Sequence, residues 1–311
     1  MERWKVVAIH VTLISLAFLT LLPFFFTINN IFRTRPEFDR AFFSLPDCFK
    51  NLAQAITAEQ GATFQIENEE GEIVEVASDK AIAFNLSKAG RGPRLAWRAI
   101  RPYMVNSLWV SAVTAFGVSF IGSVTAYVLA RYRFFGSRLA FLTIISTMMF
   151  PGVLTLVPSF LLVKELGLLN TYWAMILPYI AGGQVFAIFV FRSFFSGLPE
   201  DLFESARIDG AGHFRIYWNL VLPLSKAAFS VVIIMNIIGT WNNFLWPFIT
   251  NTEGKKHVVA SGLFVLATSE YASNPATLYA AYAISSIPML ILFVYATKPF
   301  IRGMTSGAFK A

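Results

Sequence analysis

Six stretches of this chain are each long and apolar enough to cross a lipid bilayer. They run at about residues 6–28, 106–130, 139–163, 173–191, 225–250 and 277–301. A helix rises about 1.5 Å per residue and the hydrocarbon core is about 30 Å thick, so ~20 apolar residues suffice to span it. The five later stretches contain no Asp or Glu, and the ionisable group of the first is His10. Backbone polar groups in hydrocarbon must bond to one another, so runs of this length and composition can only be helices. The expected fold class is therefore an all-α integral membrane protein with six transmembrane helices.

The remaining composition agrees. The 311 residues are 56% hydrophobic and 14% charged, with a mean hydropathy of +0.60. Soluble domains carry about 25% charged residues, and disordered chains carry more charge and less hydrophobicity than this one. The single cysteine, Cys48, excludes an internal disulfide framework or a Cys-rich metal site. It reads as a small apolar filler.

The positive charge is a topology signal. With the N-terminus inside, the cytoplasmic pieces hold Arg3, Lys5, Arg131, Arg133, Arg138, Arg192, Arg207, Arg215, Lys226, Lys298, Arg302 and Lys310; the short outer loops hold Lys164, Lys255 and Lys256. Both termini are thus expected in the cytoplasm, and the formal charge of +7 no longer argues for a nucleic-acid partner. The first helix, following Met1-Glu-Arg-Trp-Lys5, reads as an uncleaved signal anchor, because its apolar run is too long for a signal peptide and no small-x-small cleavage site follows.

The expected organisation is a cytoplasmic start and first helix over 1–29, a polar extracytoplasmic insertion over 30–105, a five-helix core over 106–302 and a cytoplasmic tail over 303–311. In the insertion, Phe64-Gln-Ile-Glu67 and Ile73-Val-Glu-Val-Ala77 flank Asn68-Glu-Glu-Gly71 and predict a hairpin. Gly90-Arg-Gly-Pro93 predicts a loop before the membrane. Asn85-Leu-Ser87 matches a glycosylation triplet of a kind common by chance. Gly122, Ala126 and Ala130, four residues apart, suit close helix–helix contact, and Pro151-Gly152 and Pro158 interrupt the third span.

No chemical engine is visible. The chain has no G-x-x-x-x-G-K-[ST], H-E-x-x-H or G-x-S-x-G motif. His10, His213 and His257 fall in different compartments, so no metal site is expected and no catalytic residue is assigned. Coupled carriers keep ionisable residues at membrane depth, and only His10 qualifies. Uphill transport would need energy from a partner.

The loop between the fourth and fifth spans, within 192–223, is the informative piece. Pro199 suits a helix start, where its missing N–H costs nothing, and Glu200 and Asp201 suit the positive end of the helix dipole. Leu202, Phe203 and Ala206 give an apolar stripe at helical spacing. Gly210 is placed to end the helix in a left-handed conformation, Arg215, Tyr217 and Trp218 suit an interface, and Pro223 is expected to open the next membrane helix. A short capped helix tied at both ends to spans is the geometry of a lever.

The run Glu204-Ser205-Ala206, three residues, Gly210, nine residues, then Leu220-Val-Leu222-Pro223 resembles the E-A-A-x3-G-x9-I-x-L-P motif of ABC importer permeases, with Ser205 in place of Ala and Leu220 in place of Ile. Gly167-Leu-Leu-Asn-Thr-Tyr-Trp-Ala-Met-Ile-Leu-Pro178, Phe191-Arg-Ser-Phe-Phe-Ser196 and Thr240-Trp-Asn-Asn-Phe-Leu-Trp-Pro247 are similar to the carbohydrate-uptake branch. The six spans and the ending from Gly303 to Ala311 are most similar to the smaller permease subunit of maltose-type importers. The similarity covers roughly 104–311.

The resemblance implies a type I ABC importer permease fold in a bacterial or archaeal inner membrane. It implies a second permease subunit completing a heterodimeric pore, two cytoplasmic ATPase subunits that hold the ATP and Mg, and an extracytoplasmic sugar-binding protein. No cofactor is expected on this chain. The helix at 199–210 would be the coupling helix docking in an ATPase cleft. Glu204 would make a charge-assisted contact there, Ser205, Leu220, Leu222 and Pro223 complete the motif, Ala206 and Gly210 would serve packing and the sharp exit, and Asp209 would contact the ATPase or help the turn. Trp241, Asn242, Asn243 and Trp246 are the candidates for the sugar pathway, weighed against a role as interfacial anchors. The loop at 251–275 is a candidate contact for the binding protein. The rival readings are a permease for another solute, an ion-coupled secondary carrier, and a membrane enzyme, which would need an acidic or histidine cluster near the interface.

Overall fold

The computed structural model describes residues 3–41, 44–57, 62–67, 73–269, 271 and 274–308. In chain order the elements are α1 (Arg3–Asn30), α2 (Arg35–Arg40), α3 (Asp47–Thr57), β1 (Thr63–Glu67), β2 (Ile73–Ala77), α4 (Ser78–Arg131), α5 (Ser137–Ser146), α6 (Gly152–Glu165), α7 (Trp173–Ser196), α8 (Glu200–Ile208), α9 (His213–Ile216), α10 (Leu222–Leu224), α11 (Lys226–Asn242), α12 (Leu245–Thr250), α13 (Val259–Thr268) and α14 (Pro275–Ala308). A π-helical turn, Tyr217–Val221, joins α9 to α10. Among the described residues, four helices are long and apolar enough to span a membrane, and two bent pairs bring the number to six if each pair is one span.

The chain divides into two compact units, Met1–Pro102 with Leu263–Ile287, and Tyr103–Gly262 with Pro288–Ala311. In the first, α1 leaves Phe18, Leu19, Phe24 and Phe25 more than half exposed, as a lipid-facing helix does. Its far end is tied by the buried Arg33, whose guanidinium donates to Asn30 Oδ1 at 2.9 Å and to the carbonyls of Glu37 and Ala41. Cys48 is buried as filler in α3, its Sγ 3.5 Å from the Phe32 carbonyl; burial pushes its thiol pKa up. The hairpin forms as an antiparallel pair in the register Thr63↔Ala77 to Glu67↔Ile73; its turn lies outside the described residues.

The expected loop at Gly90-Arg-Gly-Pro93 is instead helix. α4 runs unbroken through it for 54 residues. A Cβ at Gly92 would sit 3.0 Å from the Ile31 carbonyl oxygen and 3.1 Å from Ala276 Cβ, so the glycine serves close packing within a helix. Asn85 is buried in the same helix and donates its amide to the Ala81 carbonyl at 2.9 Å, so the triplet is not presented for a glycan.

In the second unit, α4 and α7 pack through small residues. A Cβ at Gly122 would meet Ala187 Cβ at 2.7 Å, and one at Gly183 would meet Val118 Cγ2 at 2.7 Å. The Gly122, Ala126, Ala130 row is thus a close contact, with Ala126 fully buried. The third span is broken: Ser137–Met149 and Gly152–Glu165 meet at 99°, because Pro151 lacks the N–H that would continue the ladder. The fifth apolar run is likewise interrupted. The stretch His213–Leu224 meets Lys226–Asn242 at 76°, and α12 follows after a break at Asn243. Pro223 lies before that elbow, within α10, so it does not open the membrane helix; Lys226 does.

Candidate functional site

The loop from α7 to α11 holds a nine-residue helix, α8, whose conformation follows from its sequence. Pro199 is the N-cap, and Glu200 and Asp201 occupy the first turn. At the other end Gly210 has φ +75°. The Gly210 N–H reaches the Arg207 carbonyl at 3.0 Å and the Ala211 N–H reaches the Ala206 carbonyl at 2.9 Å. This is a Schellman exit, in which a left-handed glycine satisfies the last carbonyls. A residue with a Cβ would pay about 1–2 kcal/mol in that conformation.

A nine-residue helix is marginal by itself, and α8 is held by a buried anchor. Phe203 is 1% exposed and joins an apolar core with Tyr127, Phe191, Phe195, Ile216, Tyr217 and Val221. Over its ring lies the guanidinium of Arg131, 3.7 Å from the centroid. Arg131, the last residue of α4, donates from Nη2 to the carbonyls of Phe195 (2.6 Å) and Leu198 (2.8 Å) and from Nη1 to Glu200 Oε2 at 2.8 Å. One cation thereby satisfies carbonyls at the C-terminal end of α7, as helix ends require, and grips the first turn of α8. Glu200 also lies 3.5 Å from Arg207.

The segment after Gly210 is tied to α4 as well. Tyr217 OH and Ser123 Oγ share a hydrogen bond of 2.7 Å, and Tyr132 OH bonds His213 Nδ1. Leu220 and Leu222 pack against the same apolar core, while Pro223 is exposed. The loop is thus one mechanical piece with the ends of α4 and α7, and leads through the 76° elbow into α11.

The outer face of α8 is distinct from this anchor. Glu204, Ser205 and Asp209 are exposed, whereas Ala206 turns inward against the core. The expected apolar stripe needs correcting at Leu202, which is 39% exposed; a 100° step per residue puts it on the flank once Phe203 is buried. Ile208 is 85% and Phe214 77% exposed, and Phe214 stacks on Trp218 with centroids 6.0 Å apart. Ile208, Phe214 and Arg131 stand outside the motif-derived set of site residues. Ile208 and Phe214 are visible as apolar residues among acidic and basic ones; Arg131 lies 69 residues from Glu200, and no local pattern links them.

The four candidates for the sugar pathway are divided by the structure. Trp241 and Trp246 are buried, and the Trp246 indole donates to the Ala174 carbonyl at 2.9 Å. Asn243 Oδ1 accepts the Trp246 N–H at 3.2 Å and so caps α12. Asn242 is exposed. In the 251–275 region the tip at 252–255 is exposed but rigidly held. Asn170 Oδ1 accepts the Thr252 N–H at 2.8 Å, and Asn106 Nδ2 donates to the carbonyls of Lys255 (3.0 Å) and His257 (2.8 Å). Burial lowers the pKa of His257.

The family model of the binding-protein-dependent transport system inner membrane component matches residues 119–306, which include the whole α8 loop. The chain belongs to that family. It is a multi-pass permease component of an ABC importer. Among its relatives are a diacetylchitobiose uptake system permease protein of Streptomyces coelicolor, 35% identical over 68% of this chain and 70% of the relative, and an arabinooligosaccharides transport system permease protein of Bacillus subtilis, 36% identical over 67% and 73%. An sn-glycerol-3-phosphate transport system permease protein of Yersinia pestis is 31% identical over 66% and 72%. A solved bacterial ABC transporter involved in import of the acidic polysaccharide alginate has the same fold as this permease, with a TM-score of 0.68 at 20% identity over 96% of both chains.

Proposed function

We propose that this permease forms half of a heterodimeric pore that imports a di- or oligosaccharide, and that α8 is the handle by which an ATPase on the cytoplasmic side drives it. The observation that carries the reading is the split character of α8. Its inner face is locked by Phe203 and Arg131 to α4 and α7, and its outer face presents Glu204, Ser205 and the bare Ile208. A helix anchored on one side and open to a partner on the other, through charged groups around one apolar residue, transmits a push without absorbing it. Exposed apolar groups beside charges are what a protein partner covers.

In this scheme ATP and Mg bind in the partner ATPases, and both termini of this chain lie in the cytoplasm. A binding protein delivers sugar from outside, meeting the exposed tip at 252–255. Glu204 makes a charge-assisted contact with the ATPase; Ala206 and Gly210 keep α8 close to its own core and turn the chain sharply out. Asp209 adds charge beside that exit, and Leu220, Leu222 and Pro223 pass the motion to α11. The ATPase alternates the pore between outward and inward states, so energy enters only through differential binding to the two. Asn242 is the pathway candidate with a free surface, and Asn243 acts by shaping α12. The relatives that move diacetylchitobiose and arabinooligosaccharides favour an oligosaccharide, and maltose-type sugars belong in the first panel tested. The glycerol-3-phosphate relative favours a second reading, a small phosphorylated solute.

The test is uptake into proteoliposomes holding the permease pair, the ATPase and the binding protein. The account expects ATP-dependent uptake of a labelled di- or oligosaccharide. It also expects Glu204→Lys to cut uptake while the complex still assembles in the membrane. Uptake that follows an ion gradient without ATP, or normal uptake by Glu204→Lys, overturns it.

A further inference from the structure

A feature unrelated to α8 lies in the first unit. The polar start of α4 carries Arg91, Arg94, Arg98 and Arg101 at spacings of three, four and three, which place them on one helix face, and all four are exposed. Among the described residues, Arg98 and Arg101 meet no carboxylate, and Arg94 gives one N–H to the Ser87 carbonyl at 3.1 Å. Exposed cations gathered on one face raise the local concentration of anions beside them. Between them is an open cleft of about 450 Å³ lined by Arg91, Pro93, Arg94, Leu95, Trp97 and Arg98. Trp97 is 48% exposed.

The level of this cleft is fixed by its neighbours. The adjoining Gly92 touches Ile31, the residue after α1, and Ala276, the second residue of α14. Two helices that are each long and apolar enough to cross a bilayer therefore end at the level of the cleft, packed on the buried face of α4. That is the water–lipid boundary, where indoles collect and where arginine stems lie on apolar surface with their heads among phosphates.

We propose that the Arg94–Trp97–Arg98 cleft binds the headgroup of an anionic phospholipid. The guanidiniums take the phosphodiester oxygens in paired hydrogen bonds, the geometry for which arginine is suited, and Leu95 and Trp97 lie against the glycerol and the first methylenes. The apolar lining between the cations, level with two span ends, fits a lipid better than the acidic face of a protein, which would need polar partners there.

The experiment uses the assembled transporter in phosphatidylcholine nanodiscs doped with phosphatidylglycerol, with bromine on the acyl chains of one lipid or the other. The Trp97 component is the fluorescence difference between the wild type and Trp97→Phe. One basic residue near a charged surface changes local enrichment by about fivefold, so brominated phosphatidylglycerol should quench this component at least about twofold more than brominated phosphatidylcholine at equal mole fraction. Arg94→Gln with Arg98→Gln should abolish the excess, whereas Arg101→Gln, outside the cleft, should keep most of it. High salt should remove the excess in the wild type, a readout that survives if the double variant does not assemble. Equal quenching by the two lipids, an excess indifferent to salt, or a Trp97 shielded from both lipids by a protein partner overturns the proposal.

Discussion

Truncation of Phe203 tests the mechanical role of α8. Its ring is 1% exposed and lies under a guanidinium. Phe→Ala at a buried site costs about 3–5 kcal/mol, and about 1.4 kcal/mol is a factor of ten in an equilibrium constant. A nine-residue helix has little stability of its own, so the loss falls on the docking of α8 and not on the spans. Amide exchange across 203–211, followed by mass spectrometry in detergent, should accelerate by about a hundredfold or more in Phe203→Ala. Leu202→Ala, one residue away but 39% exposed, should change exchange by less than about threefold, because surface truncations stay within about 0.5 kcal/mol. In the assembled importer, Phe203→Ala should also separate ATP hydrolysis from uptake. Equal exchange in the wild type and Phe203→Ala would refute the reasoning, since α8 would then be held by something other than this side chain.

Arg131→Gln should loosen α8 far more than Glu200→Gln. The variant takes the charged donor from the Phe195 and Leu198 carbonyls, of which Phe195 keeps the Leu198 N–H at 3.3 Å, at a total cost of about 1–3 kcal/mol. The Glu200 side chain is 50% exposed, so its pair contributes under about 1 kcal/mol; comparable exchange in the two variants would contradict this ranking. Gly210→Ala should cost about 1–2 kcal/mol through its left-handed φ, read as faster exchange at Ala211 with the spans unchanged. The pKa of His257 is lowered below its ordinary 6.5 by burial. Its contribution to stability is therefore complete above that value and is lost as pH falls from there towards its folded-state pKa. Proteolysis at the 252–255 tip should rise with acidification across that window in the wild type and stay flat in His257→Gln.

The sequence was legible wherever one local rule acted alone. Apolar length gave the first, fourth and sixth spans, the two short strand-like runs gave the β1–β2 pair, and glycine chemistry gave the exit at Gly210. It misled where a distant contact decided. Gly90-Arg-Gly-Pro93 has the composition of a loop, yet helix α4 passes through it, and Gly92 there gives Ile31 and Ala276 room to approach. The third apolar run counts as one span by length, yet Pro151 bends it by 99°. Trp246 looks like a sugar-stacking indole until its N–H is seen on the Ala174 carbonyl. At α8 the motif residues were readable, but Arg131, which makes the helix rigid, lies outside the loop.

The account rests on the outer face of α8 being gripped by an ATPase. A photo-crosslinking residue placed at Ile208, 85% exposed on that face, reads this directly in the assembled importer. The predicted result is an adduct with the ATPase subunit whose yield changes between the nucleotide-free and ATP-bound states. An adduct only with the binding protein, or label reaching that position from outside intact cells, would contradict it.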